Sequence, residues 1–187
     1  SAVRGRAEAT CLLMELEQLE LLHTQRAKLE ALAKSEVEAF RERCQSEQDD
    51  PSEPDDVAIL ASLPGVGPVL LCALLAEGAR GVRERDVELL RTHGGIAPVT
   101  RQSGKQRQVV MRRACNGYLR DALHQWGQAA LSADPRAKRH YRRLRDRGHS
   151  HGRALRGVAD TLLRLAIAML QSRTLFDAER WHSTRAA

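Results

Sequence analysis

The chain has 187 residues, enough for one medium-sized domain with an appendage, and its formal net charge is +6. Residues 1–100 carry 11 Lys and Arg against 18 Asp and Glu, whereas residues 101–187 carry 19 against 6. The basic second half suits a polyanion, and the lack of a spanning apolar run, or of an amphipathic helix with bulky aromatics, excludes a membrane partner.

The aromatic and cysteine content further narrows the kind of partner and the kind of site to expect. Aromatic residues make up only 3 % of the chain, too few for the stacking platforms of single-strand readers, so a duplex backbone is favoured. The four cysteines form no Cys-x-x-Cys pair, which argues against a disulfide framework or a zinc site and fits the cytoplasm. The chain lacks a signal peptide and begins with Ser1, so we expect a piece of a longer protein.

The first predicted element is a long helix over residues 10–48, within a coiled-coil-like helical arm assigned to residues 1–48. No Gly or Pro occurs there after residue 10, and the apolar residues fall mostly three, four or seven apart. They are Leu12, Leu16, Leu19, Leu22, Leu29, Ala33, Val37 and Phe40. Gln25 and Arg26 interrupt this seam, so an amphipathic helix packed on its own domain is the alternative.

A change of composition separates the arm from a compact domain. Acidic residues and prolines dominate residues 46–56, which are expected to bury nothing, and we assign residues 49–56 to an acidic linker. A helical domain follows over 57–176 and a tail over 177–187. Its helices are predicted at 57–63, 68–77, 84–92, 109–132, 136–147 and 153–171, with turns at 78–81 and 94–95, a polar loop at 96–108 and no strand. The predicted fold class is therefore all-α.

The turn between the first two helices of this domain is suited to binding phosphate. Gly65 and Gly67 permit close backbone approach, and Pro68 at a first helical position gives up only an unpartnered N–H. The amides of Gly65, Val66 and Gly67 then stand at the positive end of the helix dipole and are candidate contacts to a nucleic-acid backbone. An ordinary helix connector is the alternative interpretation.

A basic loop farther along the chain presents a hydroxyl among cations. Ser103 is the candidate nucleophile for a phosphodiester, since the cations near it can stabilise the charge of the phosphorane oxygens. These are Arg101, Lys105, Arg107, Arg112 and Arg113. A P-loop is excluded because Val99 and Gln106 stand where its glycine and hydroxyl residues belong. On the residues alone, a turn that merely touches phosphate remains the alternative.

No metal site is predicted in this chain. His149 and His151 resemble half of one, but no Cys or carboxylate stands at ligand spacing, so solvated turn histidines are the simpler interpretation. The basic domain also lacks a carboxylate cluster at two-metal spacing, which argues against a self-contained metal-dependent nuclease. The basic run 136–147 either lies along DNA or is a solvated face.

The ordered motifs resemble a known family. They are the long helix, Leu-Pro-Gly-Val-Gly-Pro at 63–68, Gly-Ile-Ala-Pro at 95–98, Arg-Gln-Ser-Gly-Lys at 101–105, Asn-Gly-Tyr-Leu-Arg at 116–120, Tyr-x-x-Leu-x-x-Arg-Gly at 141–148 and a last apolar helix. Over residues 10–176 the chain is similar to the C-terminal half of insertion-sequence transposases of the 110/116/902 family, the bridge-RNA-guided recombinases. His93 replaces a common aromatic, and the motif before Leu119 is shifted to 113–117, which blurs the individual DNA contacts.

The resemblance implies a DNA transposase or recombinase that cleaves and rejoins duplex DNA, with Ser103 as the nucleophile that forms a transient phosphoserine link. It adds Asn116 to the candidate nucleic-acid contacts. It also implies a guide RNA in the intact protein, a helix-hairpin-helix motif in the domain, and a homo-oligomer joined through residues 10–48. An absent N-terminal resolvase-like domain would hold Mg²⁺ with four acidic residues, so this chain alone is expected to be inert and to need no cofactor of its own.

Two other functions remain open at this stage. A non-catalytic helix-hairpin-helix module would explain the turn at 63–68 and the basic half of the chain equally well, but it leaves the Ser-Gly loop unexplained. An assembly module would make residues 10–48 the functional element and the basic domain passive.

Overall fold

The computed structural model describes residues 2–45, 53–104 and 106–179 of the chain. Within them lie α1 (Ala2–Gln45), α2 (Asp56–Ala61), α3 (Pro68–Glu77), α4 (Ala79–Arg83), α5 (Val87–His93), β1 (Val99–Ser103), β2 (Gln106–Val110), α6 (Gly117–Ala133), α7 (Pro135–Asp146) and α8 (His151–Ser172). The prediction of an essentially all-α chain with a long N-terminal helix is confirmed. No helix in these ranges is both long and apolar enough to cross a lipid bilayer.

Helices α6 and α8 pack together at the centre of the core. Val158 and Leu162 lie one turn apart on α8 and are buried. Leu119, Leu123 and Trp126 follow the same helical spacing on α6 and are completely buried. Burial of large apolar side chains such as these stabilises the fold by roughly 1.5–3 kcal/mol for each aliphatic side chain. The remaining helices of the domain are arranged around this pair.

The C-terminal end of α1 is docked on the compact domain. Phe40 packs against the core, and the Sγ of Cys72 on α3 donates to the carbonyl oxygen of Ala33 at 3.3 Å. Arg41 Nε donates to Asp55 Oδ2 at 2.7 Å, which raises the pKa of the Arg41 guanidinium. This end of the arm therefore packs on its own domain, as the alternative interpretation expected.

The rest of α1 carries apolar side chains in solvent. The helix has 44 residues, so it is about 66 Å long at 1.5 Å per residue. Its large apolar side chains between residues 12 and 32 are 53–62 % exposed. At 100° per residue, Met14, Leu21 and Leu32 lie on the opposite side from Leu19, so the arm has a second apolar side besides the predicted seam. The predicted end of the arm and the first half of the acidic linker fall on residues 46–52, outside the described residues.

The N-terminus of α2 collects ion pairs from distant parts of the chain. Asp55 is buried and caps the helix, since its Oδ1 accepts from the amide of Ala58 at 2.6 Å. Asp56 receives both terminal nitrogens of Arg85 at 2.7 Å and one from Arg173 at 2.8 Å. The expectation that residues 46–56 bury nothing is therefore wrong at Asp55, because capping and pairing with Arg41 satisfy its charge.

Helix boundaries differ most from the predictions at α4 and at the start of α6, and α5 begins at Val87 where residue 84 was predicted. Residues 79–83 form the helix α4, where a turn was predicted at 78–81, because Gly78 closes α3 and the chain re-enters a helix at once. The predicted helix 109–132 begins only at Gly117, because Asn116 caps α6 there and residues 109 and 110 belong to β2.

The prediction of a polar loop at 96–108 without strands is wrong. β1 and β2 form an antiparallel ribbon in which Val99 pairs with Val110 and Ser103 pairs with Gln106. Gly104 has a φ of +55°, as the two-residue turns that join such strands require. Polar side chains alternate with few apolar ones in this ribbon, so the period-two pattern of a half-buried strand is missing from the sequence.

Candidate nucleic-acid interface

Gly65 in the turn between α2 and α3 is required by packing. Its φ is +80°, and a Cβ atom built on it would stand 2.8 Å from the backbone nitrogen of Ala130 on α6. Beside it, Trp126 Nε1 donates to the carbonyl oxygen of Pro64 at 3.0 Å. The glycine thus lets the turn lie directly on the α6 backbone, where no larger residue fits.

The other two candidate amides of this turn differ in their surroundings. The amide of Val66 donates to the carbonyl oxygen of Leu63 at 3.2 Å and is occupied within the turn. Gly67 is exposed, begins α3 as its N-cap and has open space where a side chain would stand. The first amides of an α-helix have no partner inside the helix. Gly67 and the start of α3 are therefore the part of the turn that is open to a phosphate.

The ribbon places Ser103 at its exposed tip. Ser103 is the last residue of β1, directly before the turn that contains Gly104, and its side chain lies in solvent. The register pairs position 101 with Gln108, and the alternation along a strand puts positions 101 and 103 on the same face. Position 107 pairs with Gln102 and belongs to the opposite face. A hydroxyl at such an exposed tip is accessible to a DNA strand.

The predicted cations around the serine are described to different extents. Lys105 and the side chains of Arg101 and Arg107 lie outside the described part of the structure. Arg113 is exposed beyond the end of β2, whereas Arg112 is half-buried. The Nε of Arg112 is fully buried, and the described residues offer it no hydrogen-bond partner. An unpaired buried donor of this kind is costly, so an acceptor that reached it would be bound favourably.

Asn116 has a structural task at the start of α6. Its Oδ1 accepts from the amide of Leu119 at 2.9 Å, and its Nδ2 donates to Glu77 Oε2 at 2.5 Å. Its own amide donates to the carbonyl oxygen of His93 at 2.8 Å. These bonds join the ends of α3 and α5 to the start of α6, and a DNA contact by Asn116 stays a prediction.

Metal-binding groups do not cluster in the described ranges. No three His, Cys, Asp or Glu side chains lie close enough there to hold a metal ion. His151 Nδ1 shares a hydrogen bond of 2.8 Å with the hydroxyl of Tyr141, and the two rings meet edge to face. This histidine therefore belongs to the contact between α7 and α8.

The ribbon and the α2–α3 turn lie within one stretch that matches a family model. The model is described as the transposase IS116/IS110/IS902 family, and it matches residues 57–142. Residues 57–142 form a transposase domain of this family. The transposase domain includes Ser103 and extends from the first residues of α2 to most of α7.

Named relatives agree with this assignment. The chain is 39 % identical over 150 residues to a protein of Streptomyces coelicolor named as the mini-circle transposase for IS117. It is 30 % identical over 161 residues to a 43.6 kDa protein of insertion element IS110 from the same species. It is 31 % identical over 123 residues to a 44.8 kDa protein of IS116 from Streptomyces clavuligerus. The matches cover 80 %, 86 % and 65 % of this chain but only 34 %, 36 % and 31 % of those relatives. The chain thus spans about a third of their length.

Two further basic features of the chain become visible in the structure. Helix α7 exposes five cations that form no ion pair within the described residues, namely Lys138, Arg139, Arg142, Arg143 and Arg145. The run itself was visible in the sequence, and the structure adds its exposure. Arg120 on α6 and Arg156 on α8 line a common cleft. Sequence reasoning missed this pair because no periodicity links residues on two separate helices.

Proposed function

We propose that this chain is the DNA-binding part of a transposase that cleaves and rejoins DNA through Ser103. The observation that carries the proposal is the exposed serine at the tip of a ribbon inside a transposase domain. In this proposal the intact protein is guided by RNA, as the family resemblance implies. If the chain were a non-catalytic DNA-binding module, the exposed Ser103 would have no function.

The reaction is a transesterification at phosphorus. The Ser103 hydroxyl gives its proton to a base as Oγ bonds to phosphorus, the P–O bond to the deoxyribose breaks, and the released sugar oxygen is protonated. Rejoining reverses these steps with a sugar hydroxyl of the new partner strand. Because one phosphate ester replaces another, no external energy source is needed. Arg101, Lys105, Arg107, Arg112 and Arg113 would stabilise the charge on the phosphorane oxygens.

The donor set of the described residues does not fit Mg²⁺, because no three carboxylate or other ligand groups converge. We therefore assign no step on this chain to a metal. The resemblance places the acidic Mg²⁺ site in a separate domain of the intact protein, and this chain by itself is proposed to be inactive.

The two polyanions of the proposal, duplex DNA and guide RNA, need more than one basic surface. The ribbon with Arg113 is the first, and Gly67 with the open amides of α3 provides a neutral contact to a phosphate. The exposed cations of α7 form the second. Backbone contacts of this kind position a nucleic acid without reading its sequence, which leaves sequence choice to the guide.

Duplex binding tests the proposal on the chain as it stands. We expect salt-sensitive binding, with log affinity falling by about 0.9 per neutralised phosphate for each log unit of salt. Arg113→Gln is expected to weaken binding about threefold and to lower this slope by about one. Arg83→Gln, which removes an equally exposed charge from α4, is the matched control and should change neither quantity. Fluorescence anisotropy measures both, and salt-independent or absent binding would contradict the proposal.

The arm is proposed to join protomers. Its apolar side chains between residues 12 and 32 are more than half exposed, and a second copy of the same helix covers such a surface economically. We expect sedimentation velocity to show a dimer or a larger oligomer. Leu19→Glu combined with Leu22→Glu should shift the chain to monomer, whereas Thr24→Glu, at a polar position of the arm, should leave the oligomer intact. A strictly monomeric wild-type chain at high concentration would refute this part of the proposal.

A further inference from the structure

A cleft of 280 Å³ opens between α6 and α8, beside the residue that follows β2. Met111 forms one side of it, and Leu123 and Ala159 line its apolar walls. Four polar side chains also line it, namely Arg120, Asp121, His124 and Arg156. The mixture of apolar walls with a few convergent polar groups is typical of ligand-binding sites, and the two arginines among them favour an anion.

Arg156 brings a positive charge into this cleft without a counter-ion. Its Nη1 contacts the sulfur of Met111 at 3.4 Å, and no carboxylate among the described residues lies within ion-pair distance of it. Asp121, the one acidic residue of the lining, accepts a hydrogen bond from Arg120 at 3.1 Å. Burial and the nearby charge of Arg153 lower the pKa of Arg156. Such a desolvated, unpaired cation favours the binding of an anion.

The position of the cleft relative to Ser103 indicates which anion the cleft binds. Gln106, opposite Ser103, is five residues before Met111 at the edge of the cleft, a span of at most about 17 Å at 3.4 Å per residue. Successive phosphates of one DNA strand advance by about 3.4 Å along the duplex axis. A strand that runs along the ribbon with its scissile phosphate at Ser103 would bring another phosphate to the cleft within about five nucleotides.

We propose that this cleft is a subsite for a backbone phosphate of the DNA strand that is cleaved, with Arg156 as its main ligand. The guanidinium binds two phosphate oxygens, and the apolar walls receive the adjoining deoxyribose. This inference rests on the proposed function, because it takes the cleaved strand to run along the ribbon from Ser103.

The test compares Arg156→Gln with Arg153→Gln in the full chain. Arg153 precedes Arg156 by one turn of α8 and is exposed, so its substitution removes the same charge outside the cleft. We expect Arg156→Gln to weaken duplex DNA binding about tenfold and to lower the salt slope by about one, and Arg153→Gln to weaken it less than threefold. Thermal melting of both variants verifies folding.

The outcomes separate this inference from the proposed function. If the wild-type chain binds duplex DNA and the two variants behave alike, the cleft assignment fails and the proposed function survives. If the wild-type chain binds no duplex, the proposed function fails and the DNA subsite fails with it. A loss confined to duplex RNA would overturn DNA as the occupant.

A second measurement needs no variant and guards against misfolding of Arg156→Gln. Phenylglyoxal modifies accessible arginines, and mass spectrometry of the wild-type chain locates each modified residue. We expect bound duplex DNA to slow the modification of Arg156 about tenfold and that of Arg153 less than twofold. Equal rates at Arg156 with and without DNA would overturn the subsite.

Discussion

Ser103→Ala in the intact protein is expected to abolish the proposed covalent protein–DNA adduct while duplex binding survives. Loss of a nucleophile removes the covalent step itself, so we expect the adduct to fall about a thousandfold or more. Ser103 lies in solvent at the end of β1, where substitutions change stability by less than about 0.5 kcal/mol. Affinity for DNA should therefore stay within about twofold of the wild-type value.

Denaturing electrophoresis of labelled DNA with the protein measures the adduct directly. Thr100→Ala is the matched control, because it removes an exposed hydroxyl from the same strand at a position on the opposite face. This control should keep the adduct. An undiminished adduct in Ser103→Ala would assign the nucleophile to another residue, and the absence of any adduct with the wild-type protein would favour a non-catalytic module.

Gly65→Ala is expected to destabilise the chain by about 3 kcal/mol, the largest stability effect that we predict for a single methyl group. The residue has a φ of +80°, and the new Cβ would stand 2.8 Å from the backbone nitrogen of Ala130. Relief of this clash moves the turn away from α6 and strains the hydrogen bond from Trp126 to Pro64.

Gly67→Ala provides the contrast two residues later. Its Cβ would meet open space, so stability should change by less than about 1 kcal/mol, the usual range for such an N-cap change. The methyl group would stand before the open amides of α3, and we expect DNA affinity to fall about fivefold. Urea unfolding and fluorescence anisotropy separate the two effects. An unchanged affinity of Gly67→Ala would reduce the turn to a packing element.

Most of the helices were predictable because their sequences carry local helix signals, whereas α4 was predicted as a turn. The buried stripe of α8 repeats at three and four residues, and Pro68 and Pro135 stand at first helical positions. The ribbon was not predictable, because an exposed two-stranded element buries neither face and leaves no period-two pattern. Asn116 shows a similar limit of sequence-based prediction at a helix boundary. Asn116 is the N-cap of α6, but the residues before it also have helical propensity, so the sequence predicted an earlier start.

For the site, Ser103 was proposed from the resemblance to a family motif, which needs no geometry, and its role as nucleophile stays a prediction. Its place at a tip came only from the pairing of β1 with β2. Gly65 is packed against α6 and Gly67 is open. This difference depends on contacts with residues more than sixty positions later in the chain, so no local sequence pattern predicts it. The position of Arg156 in a cleft was not predicted for the same reason, because the cleft exists only where α6 and α8 pack together.

The joint at the start of α2 ties the end of the arm to the domain. Asp55 binds Arg41 near the end of α1, and the next residue, Asp56, binds Arg85 before α5 and Arg173 after α8. Four chain segments therefore meet within one helical turn, and these ion pairs hold the last turns of α1 in one direction relative to α2. In the proposed oligomer this joint would set the separation of the two Ser103 side chains, and loosening it would change that separation from a distance.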